Sequence, residues 1–132
     1  MLWNQSASEQ EVRVGKPKLL VGTADEHLRS LVFKALGERF NIEATDDGTH
    51  LLEMARSHHP ALIIIDLFIR KLDGLQLCYI LKSNGETKSI PIIAVSNLLA
   101  KDHALQAGAN FFLSSPFKTK QLVEAVEKLT RL

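Results

Sequence analysis

The 132 residues fit one domain, because globular domains most often run to roughly 100–150 residues and divide only when much longer. Hydrophobic residues at 45% and charged residues at 23% exclude a disordered chain. Sixteen Lys and Arg against 15 Asp and Glu leave a formal charge of +1, so no global field favours nucleic acid or an anionic membrane. No apolar run approaches the ~20 residues of a membrane helix, the N-terminus has no signal-peptide core, and the single cysteine, Cys78, has no intramolecular disulfide partner. A cytoplasmic protein is the expectation.

Residues 1–16 are polar and lack sustained periodicity apart from Trp3 and a brief Val12/Val14 alternation, so they read as a tail ahead of a domain spanning 17–132. From residue 18 short apolar runs alternate with segments of helical period, as when parallel strands are joined by crossover helices. The first strand is 18–22. Leu28, Leu31, Val32, Ala35 and Leu36 then fall on one helical stripe. A second strand covers 41–45, and Asp47-Gly48 turns the chain into a helix carrying Leu51, Leu52 and Ala55, which stops before Pro60. The unbroken run 61–65 suits a strand buried on both faces and is the expected central strand. A helix at 74–83, a strand at 90–95, a short helix at 101–107, a strand at 110–113 and a helix at 120–129 complete five strands and five helices. Right-handed crossovers make this an α/β open doubly wound sheet, with its site at the carboxyl ends of the strands: Thr23/Ala24, Asp66, Ser96 and Ser114/Ser115.

Asp66 closes the central run as LIIID and is followed by LFIRKLDG; IPIIAVS ends in a hydroxyl; AGANFFLSSPF and a DDG before the second helix complete the set. Together, in this order and spacing, they resemble the receiver domain of response regulators over nearly all of 18–132, which implies the five-stranded parallel (βα)5, flavodoxin-like receiver fold. The resemblance assigns Asp66 as phosphoacceptor, Ser96 as switch hydroxyl and Phe112 as the aromatic switch position. It also implies Mg²⁺ as cofactor, held by the acceptor and an acidic pair after the first strand, and a lysine that pairs with the phosphoryl group. Hard oxygens suit the metal, and the charges neutralise a transferring phosphoryl.

Here the pattern is broken. Thr23 and Ala24 occupy the positions of the acidic pair, because the phase of the first helical stripe fixes that register, and Ser115 occupies the position of the lysine. A neutral hydroxyl does not replace a full positive charge opposite a phosphoryl dianion. Asp66 and Asp25 remain as the candidate metal ligands, for a weak or absent Mg²⁺ site. Asp25 and Glu26 are more simply read as acids in a first helical turn, with Thr23-x-x-Glu26 forming a capping box. Arg70 and Lys71 follow the acceptor where Pro-Gly is frequent and read as solvated loop charges. The segment between Ser96 and Gly108 is short, so the fourth helix is expected to be short or displaced.

His27, His50, His58, His59 and His103 lack ligand spacing, the serines lack a nucleophile elbow, and GTADE is no glycine-rich phosphate loop. Tyr79, Ile80, Leu98 and Leu99 are expected to pack locally; exposed together they would mark a binding face. The expectation is therefore a stand-alone, degenerate receiver in two-component or phosphorelay signalling: a protein-interaction module and not an enzyme. Its partner would be a histidine kinase or another signalling protein, with no nucleic acid and no membrane, as monomer or homodimer. The rival is a conventional phospho-accepting receiver in which Asp25 serves the metal and Arg70, Lys71 or Lys118 supplies the missing charge. A small-molecule-binding module of the same architecture would need a pocket at the strand ends.

Overall fold

Alternation within the strands accounts for most of the architecture. The computed structural model describes residues 15–130; residues 1–14 of the expected tail lie outside them. β1 (Lys18–Gly22), β2 (Asn41–Thr45), β3 (Leu62–Asp66), β4 (Ile92–Ser96) and β5 (Phe111–Ser114) form one parallel sheet in the order β2-β1-β3-β4-β5. β3 is central, as its unbroken apolar run requires. The intervening helices are α1 (Glu26–Leu36), α2 (Gly48–His58), α3 (Gly74–Ser83), α4 (Lys101–Gln106) and α5 (Thr119–Thr130).

Successive side chains of a strand point to opposite faces, and both faces of this sheet are covered. Leu19, Val21, Leu62, Ile64, Ile93 and Val95 pack against α1 and α5 with Leu28, Val32, Leu122 and Val126. Leu20, Ile63, Ile65, Ile92 and Ala94 pack on the other face against α2, α3 and α4, with Leu51, Leu77, Leu81 and Ala104. Each buried Leu or Ile contributes on the order of 1.5–3 kcal/mol relative to leaving it in water, so this two-faced core fixes the sheet and, with it, the strand ends.

Three strands differ in their bounds from those read in the sequence: β3 is shifted by one residue, to Leu62–Asp66, and β4 and β5 each start later and end one residue later, at Ser96 and Ser114. β4 begins at Ile92 and not at residue 90, because Pro91 has no N–H to give a ladder and the Ile90 N–H donates to the Thr87 carbonyl at 3.0 Å. β5 begins at Phe111, because the Asn110 side chain is turned to β4, where its Oδ1 accepts from the Ile92 N–H at 2.9 Å. α4 has only six residues and no side-chain cap, in line with the short segment before Gly108. No helix among the described residues is long and apolar enough to cross a membrane.

Aspartate caps open three helices. Asp25 accepts from the His27 N–H, Asp47 from those of Thr49 and His50, and Asp73 from that of Leu75. The cap of α1 is thus Asp25, and the expected Thr23-x-x-Glu26 box does not form, because the Thr23 hydroxyl is held elsewhere. Asp47 sits below the ordinary carboxylate range, chiefly through the Thr49 hydroxyl, which donates to it at 2.6 Å. Its sign is that of a depressed acid: the stability it contributes is present above pH 3.8 and is lost as pH falls through its lower folded value.

Candidate functional site

The alternation that builds the core also selects what meets at the top of the sheet. Leu62, Ile64 and then Asp66 share one face of β3; Leu19, Val21 and then Thr23 share the same face of β1. Gly22 is in register with Ile65, so the next step places Thr23 beside Asp66. The Thr23 hydroxyl donates to Asp66 Oδ2 at 2.7 Å and accepts the Asp25 N–H at 3.0 Å. Thr23 is 4% exposed, so this bond is largely shielded from competing water. The other acceptor oxygen, Oδ1, takes the Phe68 N–H at 2.9 Å.

Gly74 sets the loop that supplies that N–H. A Cβ at Gly74 would lie 2.5 Å from Leu67 Cα, a backbone contact that no flexible side chain can relieve. The Asp73-Gly74 pair therefore does two jobs: Asp73 caps α3, and Gly74 lets residue 67 fold close over the helix start. The loop is also strapped to α2, since the Gly48 N–H donates to the Arg70 carbonyl at 2.8 Å.

Asp25, Asp66, Ser96 and Ser115 line one cleft of ≈ 120 Å³, with Leu28, Phe68, Val95 and Asn97. Four residues singled out in the sequence thus come together. Ser96 is 3% exposed; its Oγ accepts the Leu98 N–H at 3.1 Å, and its carbonyl accepts the Ser115 N–H at 2.9 Å. Phe112 is not in this cleft. It is half-buried against the α2–α3–α4 side of the core and lines a groove of ≈ 640 Å³ with Leu98, Leu99, Phe111, Lys101 and Lys128. The Asp66 cleft falls short of the ~300 Å³ at which small-molecule sites begin, while a second cleft of ≈ 320 Å³ opens at the strand ends beside Thr23, Ala24, Asp25, Arg29 and Asp46.

The basic residues weighed as surrogates stand apart from the acceptor. The Arg70 guanidinium is 3.9 Å from Asp46 in an exposed pair, and the Lys71 charge makes a minor contribution to holding the Asp47 carboxylate low. Lys118 is exposed, and its N–H donates to Gln121. Among the described residues no cationic side chain lines the Asp66 cleft. Cys78 is buried in the core, and burial pushes its thiol up to about 12, which leaves it neutral and unreactive.

Tyr79, Leu98 and Leu99 are exposed, contrary to the expectation of local packing, while Ile80 is half-buried. Tyr79 falls out of phase with the buried stripe Leu77, Cys78 and Leu81 of α3. Leu98 and Leu99 precede a helix that starts too late and is too short to cover them.

An aspartate ending the central parallel strand, a hydroxyl ending the next strand and an Asp-Gly helix start are the features of a receiver domain. The profile of the response regulator receiver domain matches residues 21–127, and the chain belongs to that family. It is similar to the polar-differentiation response regulator DivK of Brucella anthropi, at 29% identity over 116 residues, 84% of this chain and 94% of the relative. It is equally similar, at 29%, to the response regulator MprA of Mycobacterium ulcerans, of which it spans only 50%. Among solved structures, the receiver domain of Francisella response regulator 1452 superposes with a TM-score of 0.79 at 26% identity, over 88% of this chain and 98% of that one. The receiver domain of sensor histidine kinase PA1611 from Pseudomonas aeruginosa PAO1, with magnesium in its active-site cleft, superposes at 0.80 with 21% identity, over 89% and 99%.

Magnesium fits the present residues poorly. Among the described residues no group of three or more His, Cys, Asp or Glu side chains is placed to hold a metal. Asp25 Oδ1 is engaged at the helix start, and Thr23 meets Asp66 as a hydrogen-bond donor where a ligand oxygen would be needed. Magnesium is commonly held by one or two carboxylates with its other octahedral positions left to water, so Asp25 and Asp66, each already accepting hydrogen bonds, make a sparse donor set.

Proposed function

We propose that this chain is a degenerate receiver that acts in two-component signalling by protein contact, with Asp66 left unphosphorylated. The observation that carries this reading is the Thr23–Asp66 hydrogen bond of 2.7 Å, at a position where a phosphotransfer receiver needs a carboxylate to hold the metal. Uncharged Ser115 at the lysine position supports it independently. On this reading the chain is a binding module and not an enzyme, resident in the cytoplasm, and its partner is a histidine kinase or another signalling protein.

Exposed Leu98 and Leu99, on the rim of the groove that Phe112 lines, offer apolar surface for such contact. The conventional phospho-accepting reading draws on one observation, the convergence of Asp25, Asp66 and Ser96 on a single cleft. A magnesium titration followed by amide chemical shifts separates the two. The proposed function expects no saturable change at Phe68, whose N–H reports directly on the acceptor carboxylate, at millimolar Mg²⁺; a saturable change there favours the conventional receiver.

A further inference from the structure

The groove of ≈ 640 Å³ bounded by α4, β5 and α5 falls within the ~300–1,000 Å³ of clefts that enclose a bulky apolar group. Its apolar lining comes from Leu98, Leu99, Phe111 and Phe112. Among the described residues Leu99 is fully exposed and Leu98 more than half, and solvated leucines beside an open cleft mark a contact surface. Lys101 and Lys128 also line the groove, and neither forms an ion pair among the described residues. The sequence ahead of the described residues, MLWNQSASEQEVRV, has complementary chemistry: an apolar head, Met1-Leu2-Trp3, followed by two acids, Glu9 and Glu11.

The groove is within reach of that head. Val21, Ile64, Ile93 and Phe111 lie in register across β1, β3, β4 and β5, so Phe111 is three strand spacings from β1, about 14 Å. Gly15 precedes Val21 by six residues, at most about 20 Å along the strand direction, which sets the direct distance near 25 Å. The twelve residues from Trp3 to Gly15 extend to at most about 40 Å. A covalent tether also presents the head at an effective concentration of about a millimolar, which favours it over a free partner of the same apolar content. A second copy of the chain, by contrast, has to bury on the order of 1,000 Å² to stay in place.

We propose that the groove of α4, β5 and α5 is the docking site of the chain's own N-terminal segment, with the Trp3 indole seated against Leu98, Leu99, Phe111 and Phe112. This goes beyond the proposed function and stands whether or not Asp66 accepts phosphate. A partner that uses Leu98 and Leu99 then has to displace the segment, so the chain carries its own competitor for that face.

Trp3 is the only tryptophan of the protein, so tryptophan-selective fluorescence of the intact chain reads its surroundings directly. The expected result is a blue-shifted emission that moves to the red in Leu99→Asp, with acrylamide quenching rising roughly twofold or more as the indole passes from apolar contact to water. Leu99 is fully exposed, so the substitution leaves the core intact. Tyr79→Asp, at an exposed position of α3 outside the groove, should leave the emission unchanged. From the groove side, the amide signals of Phe111 and Phe112 should move in Trp3→Ala. Water-like emission in the intact protein, no response to Leu99→Asp, an equal response to Tyr79→Asp, or Phe111 and Phe112 signals indifferent to Trp3→Ala would overturn the docking. A red shift on dilution would put the segment of a second copy in the groove and overturn the intramolecular assignment, which expects emission independent of protein concentration.

Discussion

Replacing Thr23 and Ala24 by Asp and Ser115 by Lys is expected to turn the chain into a magnesium-dependent phosphoacceptor that gains one phosphate from acetyl phosphate, read as intact mass and lost again on adding Asp66→Ala. The backbone frame for this is present: β1 and β3 are in register up to Gly22 and Ile65, Phe68 donates to the acceptor, and Ser96 lines the same cleft. What the frame lacks is charge. The three changes supply ligand oxygens for the metal and a cation for the product. A second signature should accompany the first. Thr23→Asp buries a new carboxylate beside Asp66, and like charges at such a distance destabilise one another. The triple variant should therefore melt lower than the parent protein in chelator and recover on adding magnesium. That recovery is about 2.7 kcal/mol when the metal is at a hundredfold excess over its dissociation constant. The parent protein should show no such dependence on magnesium.

Thr23→Val is expected to cost about 1–3 kcal/mol, the penalty for leaving buried polar groups without partners. The change keeps the branched shape at a position that is 4% exposed, so cavity formation contributes little. It removes the donor to Asp66 Oδ2 and the acceptor of the Asp25 N–H in one step. Thr23→Ser keeps both bonds and loses only a methyl group, so it should cost about 0.8 kcal/mol. Urea unfolding of the two variants measures the difference directly. A loss in Thr23→Ser with none in Thr23→Val would mean that packing of the methyl, and not the hydrogen bonds, holds this residue in place.

Much of this site is legible in the chain before any coordinates. LIIID announces a strand buried on both faces with its aspartate at the exposed end, and the stripe from Leu28 to Leu36 fixes Thr23 and Ala24 at the positions of the missing acids. Even the Thr23–Asp66 pairing was available in principle, since both residues continue the alternation of their strands toward one face, but a threonine followed three residues later by a glutamate also fits a helix cap. The competition between two local partners for one hydroxyl was settled by the neighbouring strand, which sequence spacing does not show. Backbone donors are less legible. The Phe68 N–H reaches Asp66 because Gly74 lets the loop close over the start of α3, a consequence of tertiary contact. The direction of Arg70, toward Asp46 and away from the acceptor, was equally hidden, because adjacency in sequence to Asp66 says nothing about which way a loop turns. The exposure of Leu98 and Leu99 depends on where the short α4 begins, and no cap residue marks that start.

The most direct measurement is incubation of the unmodified protein with magnesium and acetyl phosphate, followed by intact mass, with an active receiver as positive control and Asp66→Ala as negative control. No phosphate-sized gain in the unmodified protein, alongside full modification of the positive control, is the result expected of a receiver whose acceptor is held by a threonine and faces no cation. A gain that disappears in Asp66→Ala would contradict it, and would mean that Asp25 and a mobile basic side chain complete the site.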